Sequence, residues 1–67
     1  MRIKLNGESK ELDEGATLQS LVEQLALAPE RLAIELNREV VRRADWPRAK
    51  LHEGDRVEIV HFVGGGT

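Results

Sequence analysis

An α+β domain, with a mixed sheet of about five strands and one main helix packed across it, is predicted by three features of this sequence. Apolar residues alternate with polar ones in several short stretches, as in strands that bury one face. Turn-forming pairs and triplets, Asn6-Gly7, Asn37-Arg38 and Glu53-Gly54-Asp55, separate those stretches. A single segment, after Thr17, instead carries apolar residues at the three- and four-residue spacing of a helix.

Taken in order, Ile3 and Leu5 alternate with Arg2 and Lys4, giving a strand with one face inward. Asn6-Gly7 then suits a type I′ hairpin, whose central residues both need positive φ. The return strand runs from Glu8 to Leu12 and is mostly polar, as an edge strand can be. Asp13-Glu14-Gly15 closes it. Thr17 is placed as an N-cap, after which Leu18, Leu21, Val22 and Leu25 share one helical face. Ser20 stands where a capping box uses Glu or Gln, so only half of that signal is present. The helix is predicted to run about three turns and to end near Ala28, because Pro29 disfavours the helical conformation in the residue before it.

Leu32, Ile34 and Leu36 alternate with Ala33 and Glu35 as a third strand, and Asn37-Arg38 turns the chain into Glu39-Val40-Val41. The crossover from Arg42 to Arg48 is polar except for Trp46, read as a core plug whose indole N–H needs an acceptor. Arg42, Arg43, Arg48 and Lys50 form a local basic cluster, read as a solvated loop. After Glu53-Gly54-Asp55, the last strand runs from Arg56 to Val63. Val57 and Ile59 point one way, Val60 and Phe62 the other. One helix covers only one face of a sheet. Val60 and Phe62 are therefore either covered by loops of this chain or exposed as a docking surface.

Composition narrows the function classes. At 67 residues the chain is one domain, of a size that buries only about 60% of its unfolded surface. A catalytic pocket is hard to enclose in it. Without cysteine there is no disulfide or thiolate zinc site, which leans mildly toward the cytosol. The longest apolar run is too short to span a bilayer, and Met1 to Lys4 alternate rather than forming a signal core, so a cytoplasmic protein is expected. A net charge of -2, one Trp, one Phe and no Tyr argue against nucleic acid as a partner. His52 and His61 lack metal-site spacing, and no carboxylate pair stands out as an acid and base, so neither a metal site nor a catalytic residue is assigned.

The C-terminal stretch organises the functional reading. An apolar strand passes into Gly64-Gly65-Gly66, which offer no side chains for packing, and Thr67 follows. Residues 1–63 are read as the domain and 64–67 as a flexible glycine-rich tail. Such a tail offers an α-carboxylate, ionised at neutral pH because it titrates near ~3.5, on a thread narrow enough to enter another protein's active site. A frayed end is the plain alternative.

The order of elements, ββαββ and a final strand, is that of the β-grasp or ubiquitin-like arrangement. In detail the chain resembles the ThiS-type sulfur carrier proteins of thiamine biosynthesis. The residues that carry the resemblance are Asn6-Gly7, Leu36-Asn37 leading to Val40-Val41-Arg42, Trp46, Glu53-Gly54-Asp55, and above all Glu58 through Gly66. The resemblance implies that a ThiF-like adenylating enzyme uses ATP and Mg2+ to convert the terminal glycine carboxylate into an acyl-adenylate. Sulfur from a persulfide donor fed by a cysteine desulfurase then gives a thiocarboxylate, which a ThiG-like thiazole synthase consumes. Gly66 is by this implication the sulfur acceptor, Gly64 and Gly65 the approach into partner active sites, and Val60, Phe62 and Val63 the docking contact. The carrier itself binds no cofactor and catalyses nothing.

Thr67 departs from the family, which ends on glycine. It is trimmed before activation, arises from expression, marks an inactive copy, or is tolerated. Two other readings stay open: the small subunit of molybdopterin synthase or a related β-grasp sulfur donor, and a ubiquitin-like interaction or modifier module without sulfur chemistry.

Overall fold

The computed structural model describes residues 1–62. Its five strands are β1 (Arg2–Leu5), β2 (Glu8–Glu11), β3 (Leu32–Leu36), β4 (Glu39–Val41) and β5 (Arg56–His61), and its one α-helix is α1 (Leu18–Leu25). Short 3₁₀ turns occupy Pro29–Arg31 and Arg43–Arg48. The spatial order is β2-β1-β5-β3-β4, so the last strand in sequence lies at the centre. It runs parallel to β1, through Lys4↔Arg56 and Leu5↔Val57, and antiparallel to β3 from Leu36↔Val57 to Leu32↔His61. The sheet is mixed, as the order of elements predicts.

Both hairpins turn on an asparagine in the left-handed region. Asn6 and Gly7 have φ of 50° and 86° and join Leu5 to Glu8; Asn37 and Arg38 have φ of 51° and 73° and join Leu36 to Glu39. Asparagine tolerates this region because its short amide bonds locally. At the head of β1, the Met1 ammonium donates to the Leu12 carbonyl at 2.8 Å and pairs with Glu11 and Glu14 at 3.3 and 3.4 Å. Partial desolvation pulls its pKa down, but the hydrogen bonds and charges of the two glutamates outweigh that and raise it. Glu11 is held below its ordinary value by its hydrogen bond to the same ammonium and by Arg2.

The helix is shorter than the sequence pattern predicts. Ala26 already takes a left-handed conformation (φ 57°), and the Ala26 and Leu27 N–H groups donate back to the Glu23 and Val22 carbonyls. This is the Schellman closure, which satisfies carbonyls left over at a helix end. It stops the helix after eight residues, ahead of any effect of Pro29. The N-terminus is better capped than predicted. Thr17 Oγ1 accepts from the Ser20 N–H at 3.1 Å, and Ser20 Oγ accepts from the Thr17 N–H at 2.8 Å. The short serine hydroxyl thus completes the capping box in place of a glutamate.

The core lies between α1 and one face of the sheet. Leu18, Leu21 and Val22 of the helix meet Ile3, Leu32, Ile34 and Val57 of the strands, with Leu12, Trp46 and Leu51 closing the edges. Trp46 is 1% exposed, and its indole N–H donates to the Val41 carbonyl at 2.9 Å. It is the plug under the crossover that its isolation among polar residues predicts.

Candidate functional site

β5 is the central strand of the sheet and leads in sequence directly into the C-terminal stretch, so it positions the candidate docking residues Val60 and Phe62. The side chains of Arg56 to Phe62 alternate strictly. Val57 is buried and Ile59 half-buried on the helix side, whereas Glu58, Val60 and Phe62 lie on the outer side. Val60 is 56% exposed and Phe62 55%. No loop among the described residues covers them, which decides between the two readings of these side chains in favour of exposure.

The outer face is striped. Val60 stands opposite Ala33 on β3, and Val40 of β4, 71% exposed, lies beside Glu35. These residues and Phe62 make an apolar area on a face with no helix over it. One step toward the start of β5, Glu58 stands opposite Glu35, and one further step along, Arg56 stands opposite Lys4. Phe62 is fixed to the domain by its N–H, which donates to the Arg31 carbonyl at 2.8 Å.

Side-chain amides hold this strand from both sides. Asn6 Oδ1 accepts from the Ile59 N–H at 2.8 Å, and its Nδ2 donates to the Ile59 carbonyl at 3.3 Å. Asn37 Oδ1 accepts from the Arg56 N–H at 2.9 Å, its Nδ2 donates to Asp55 Oδ1 at 3.0 Å, and its own N–H donates to the Arg56 carbonyl. The sequence marks both asparagines as turn residues but not as clamps. The available signal is that asparagine, rather than the equally permissive glycine, opens each turn.

Other singled-out residues are placed as structure. Arg42, Arg43, Arg48 and Lys50 are all exposed, and Arg48 pairs with Asp45 at 2.5 Å. Asp55 Oδ2 accepts from the His52 N–H at 2.8 Å and so closes the turn before β5. His61 is exposed at the end of β5. Among the described residues, no group of three or more His, Cys, Asp or Glu stands together as a metal would require. Val63, Gly64, Gly65, Gly66 and Thr67 lie outside the described residues, and so does the boundary between domain and tail.

The chain is similar to known proteins over nearly its whole length. The sequence model of the ThiS family matches residues 3–66. The chain is 46% identical over 66 residues to a thiazole synthase of Magnetococcus marinus, which covers 98% of this chain but only 20% of that protein. It thus spans about a fifth of that relative's length. It is 34% identical to the sulfur carrier protein ThiS of Bacillus subtilis, covering 96% of this chain and 98% of that one. Among solved structures, it is similar to the thiamine biosynthesis protein ThiS of Geobacter metallireducens, with a TM-score of 0.83, 33% identity, and coverage of 98% of this chain and 100% of that one.

Proposed function

This chain belongs to the ThiS family, and on that premise we propose that it is a sulfur carrier of thiamine biosynthesis, with Gly66 as the residue that carries sulfur. The observation that carries the reading is the extent of the family match, which runs to residue 66 and so takes in Gly64, Gly65 and Gly66.

The chemistry asks little of the domain and much of the tail. A carboxylate is a poor acyl donor, because its resonance and charge resist attack. Transfer of the carboxylate oxygen to the α-phosphorus of ATP, with loss of pyrophosphate, makes an acyl-adenylate. A persulfide sulfur then attacks the acyl carbon and AMP leaves; a second thiol of the donor or partner enzyme attacks the outer sulfur of the resulting acyl disulfide, is oxidised to a disulfide with it, and frees the thiocarboxylate. ATP and Mg2+ belong to a ThiF-like adenylating partner, and sulfur to a persulfide donor. Glycine suits the acceptor position because, without a Cβ, the backbone fits a narrow active site. In this reading the form that is charged ends at Gly66, with no side chain beside the reacting carboxylate.

The domain contributes recognition. The exposed Val60 and Phe62, together with Val63, form the surface on which partner enzymes dock, and Gly64 and Gly65 carry the reactive end onward. An apolar area of this kind, beside the root of a reactive tail, supplies affinity while the tail supplies chemistry. A ThiG-like thiazole synthase is the sulfur recipient; the likeness to part of a thiazole synthase supports that pairing. The chain is a co-substrate regenerated by its partners rather than an enzyme. It works in the cytoplasm, where ATP and reduced thiols are at hand.

Exchange of labelled pyrophosphate into ATP tests the adenylation step. With a ThiF-like enzyme present, exchange that depends on the chain ending at Gly66 supports the reading. Equal exchange with and without the chain contradicts it.

A further inference from the structure

The geometry points to Asn6 as a positioning residue for the tail, acting through Ile59 on the direction in which the chain leaves the sheet. The role rests on the carrier reading above. β1 ends at Leu5, and the hairpin turns away at Asn6 and Gly7. Beyond the Leu5↔Val57 pair, therefore, β5 has no strand backbone on that side among the described residues. The Asn6 N–H makes the last backbone bond, to the Val57 carbonyl at 2.9 Å.

Peptide groups in a strand face alternate sides, so the next residue of β5 to face the vacated side is Ile59. Both of its groups are taken by one side chain. Its N–H donates to Asn6 Oδ1 at 2.8 Å, and its carbonyl accepts from Asn6 Nδ2 at 3.3 Å. A primary amide presents a donor and an acceptor in one plane, as a strand residue does. Asn6 thereby extends the ladder by one rung across 53 residues of sequence. Asn37 performs the matching task at Arg56 on the other side of β5.

The position of this rung gives it its function. Ile59 lies three residues before Phe62 and seven before Gly66. Among the described residues, Asn6 is the last partner of β5 on the β1 side. Past it, among the described residues, the strand is held on the β3 side alone, through Ala33↔Val60, Leu32↔His61 and the Phe62 N–H bond to the Arg31 carbonyl of the preceding 3₁₀ turn. Without the amide, the end of β5 pivots on one edge, and His61 and Phe62 sample a wider range of directions. A partner that must thread the tail then meets a higher entropic cost of binding. Once the tail is threaded, the chemical step is unaffected.

The test uses the full chain and two variants. Asn6→Gly keeps the positive φ that the turn requires and deletes the amide. Asn6→Asp retains an oxygen for the Ile59 N–H but cannot donate to the Ile59 carbonyl. In Asn6→Gly, hydrogen exchange at the Ile59 amide is expected to rise about five- to tenfold beyond any global change, the equivalent of one net hydrogen bond. The KM of the chain in ATP-dependent thiocarboxylate formation, with a ThiF-like enzyme and inorganic sulfide, is expected to rise severalfold at unchanged kcat. Asn6→Asp is expected to recover part of both. A uniform loss of protection across Ile3, Ile34 and Ile59 with a wild-type KM would show a merely structural role and overturn the proposal. So would faster exchange at Ile59 with KM unmoved. Failure of the wild-type chain, ended at Gly66, to be charged at all would overturn the carrier reading together with the role of Asn6, whereas a normal KM in Asn6→Gly beside a charged wild type removes the positioning role alone.

Discussion

Glu35 and Glu58 stand directly opposite each other on adjacent strands, β3 and β5, with both side chains exposed on the outer face. Among the described residues, neither carboxylate lies within ion-pair distance of a cation. Like charges in this relation destabilise a sheet. Glu35→Lys replaces repulsion by attraction and is expected to raise stability by about 0.5–1 kcal/mol. The check is the urea midpoint at low salt with the slope unchanged, and the gain should shrink in high salt as screening sets in.

The helix end offers a second prediction. Ala26 occupies the left-handed region, where a Cβ is unfavourable and glycine is the usual residue of a Schellman closure. Ala26→Gly is expected to stabilise the domain by about 0.5–1 kcal/mol, the relief of strain exceeding the entropy that glycine loses on folding. Thermal unfolding would show a higher midpoint; a lower one would mean that Ala26 contributes packing that outweighs its conformation.

Trp46 is a plug with one polar obligation. Trp46→Phe keeps most of the apolar volume but leaves the Val41 carbonyl without its indole donor, at an expected cost of about 1–3 kcal/mol. In a domain of this size that is a sizeable share of the total. A change within about 0.5 kcal/mol, the range of ordinary surface substitutions, would show that water replaces the indole at no loss.

Phe62→Asp separates docking from folding. The side chain is more than half exposed and faces away from the core, so stability should change by about 0.5 kcal/mol or less. Affinity for a thiazole synthase or a ThiF-like enzyme should fall by about tenfold or more, as when an aromatic anchor is lost from an interface. Titration calorimetry on the folded variant measures it, and wild-type affinity would dismiss the outer face as the docking surface.

Much of this arrangement is legible in the residues because local signals agree with the global fold. Ile3 and Leu5, Leu32, Ile34 and Leu36, and Val57 and Ile59 alternate because each strand buries one face. Asn6-Gly7 and Asn37-Arg38 turn where the alternation breaks. The outward direction of Val60 and Phe62 follows from the same period, since one helix cannot cover both faces of a sheet.

What escapes the sequence is whatever depends on contacts far along the chain or on a single unpatterned residue. Leu12 and Leu51 enter the core as isolated apolar residues with no period to mark them. The helix stops at Leu25 because Ala26 turns left-handed, against the ordinary preference of alanine. Ser20 closes a capping box whose usual signal is a longer side chain. The hold of Asn6 on Ile59 joins residues that only the finished sheet brings together.

The measurement that tests the central claim most directly is the intact mass of the protein from its own cells, before and after incubation with a ThiF-like enzyme, ATP, Mg2+ and a sulfur donor. The carrier reading predicts a form ending at Gly66 that exchanges one oxygen for sulfur. A chain ended at Gly66 that keeps its oxygen mass under the same conditions would contradict it.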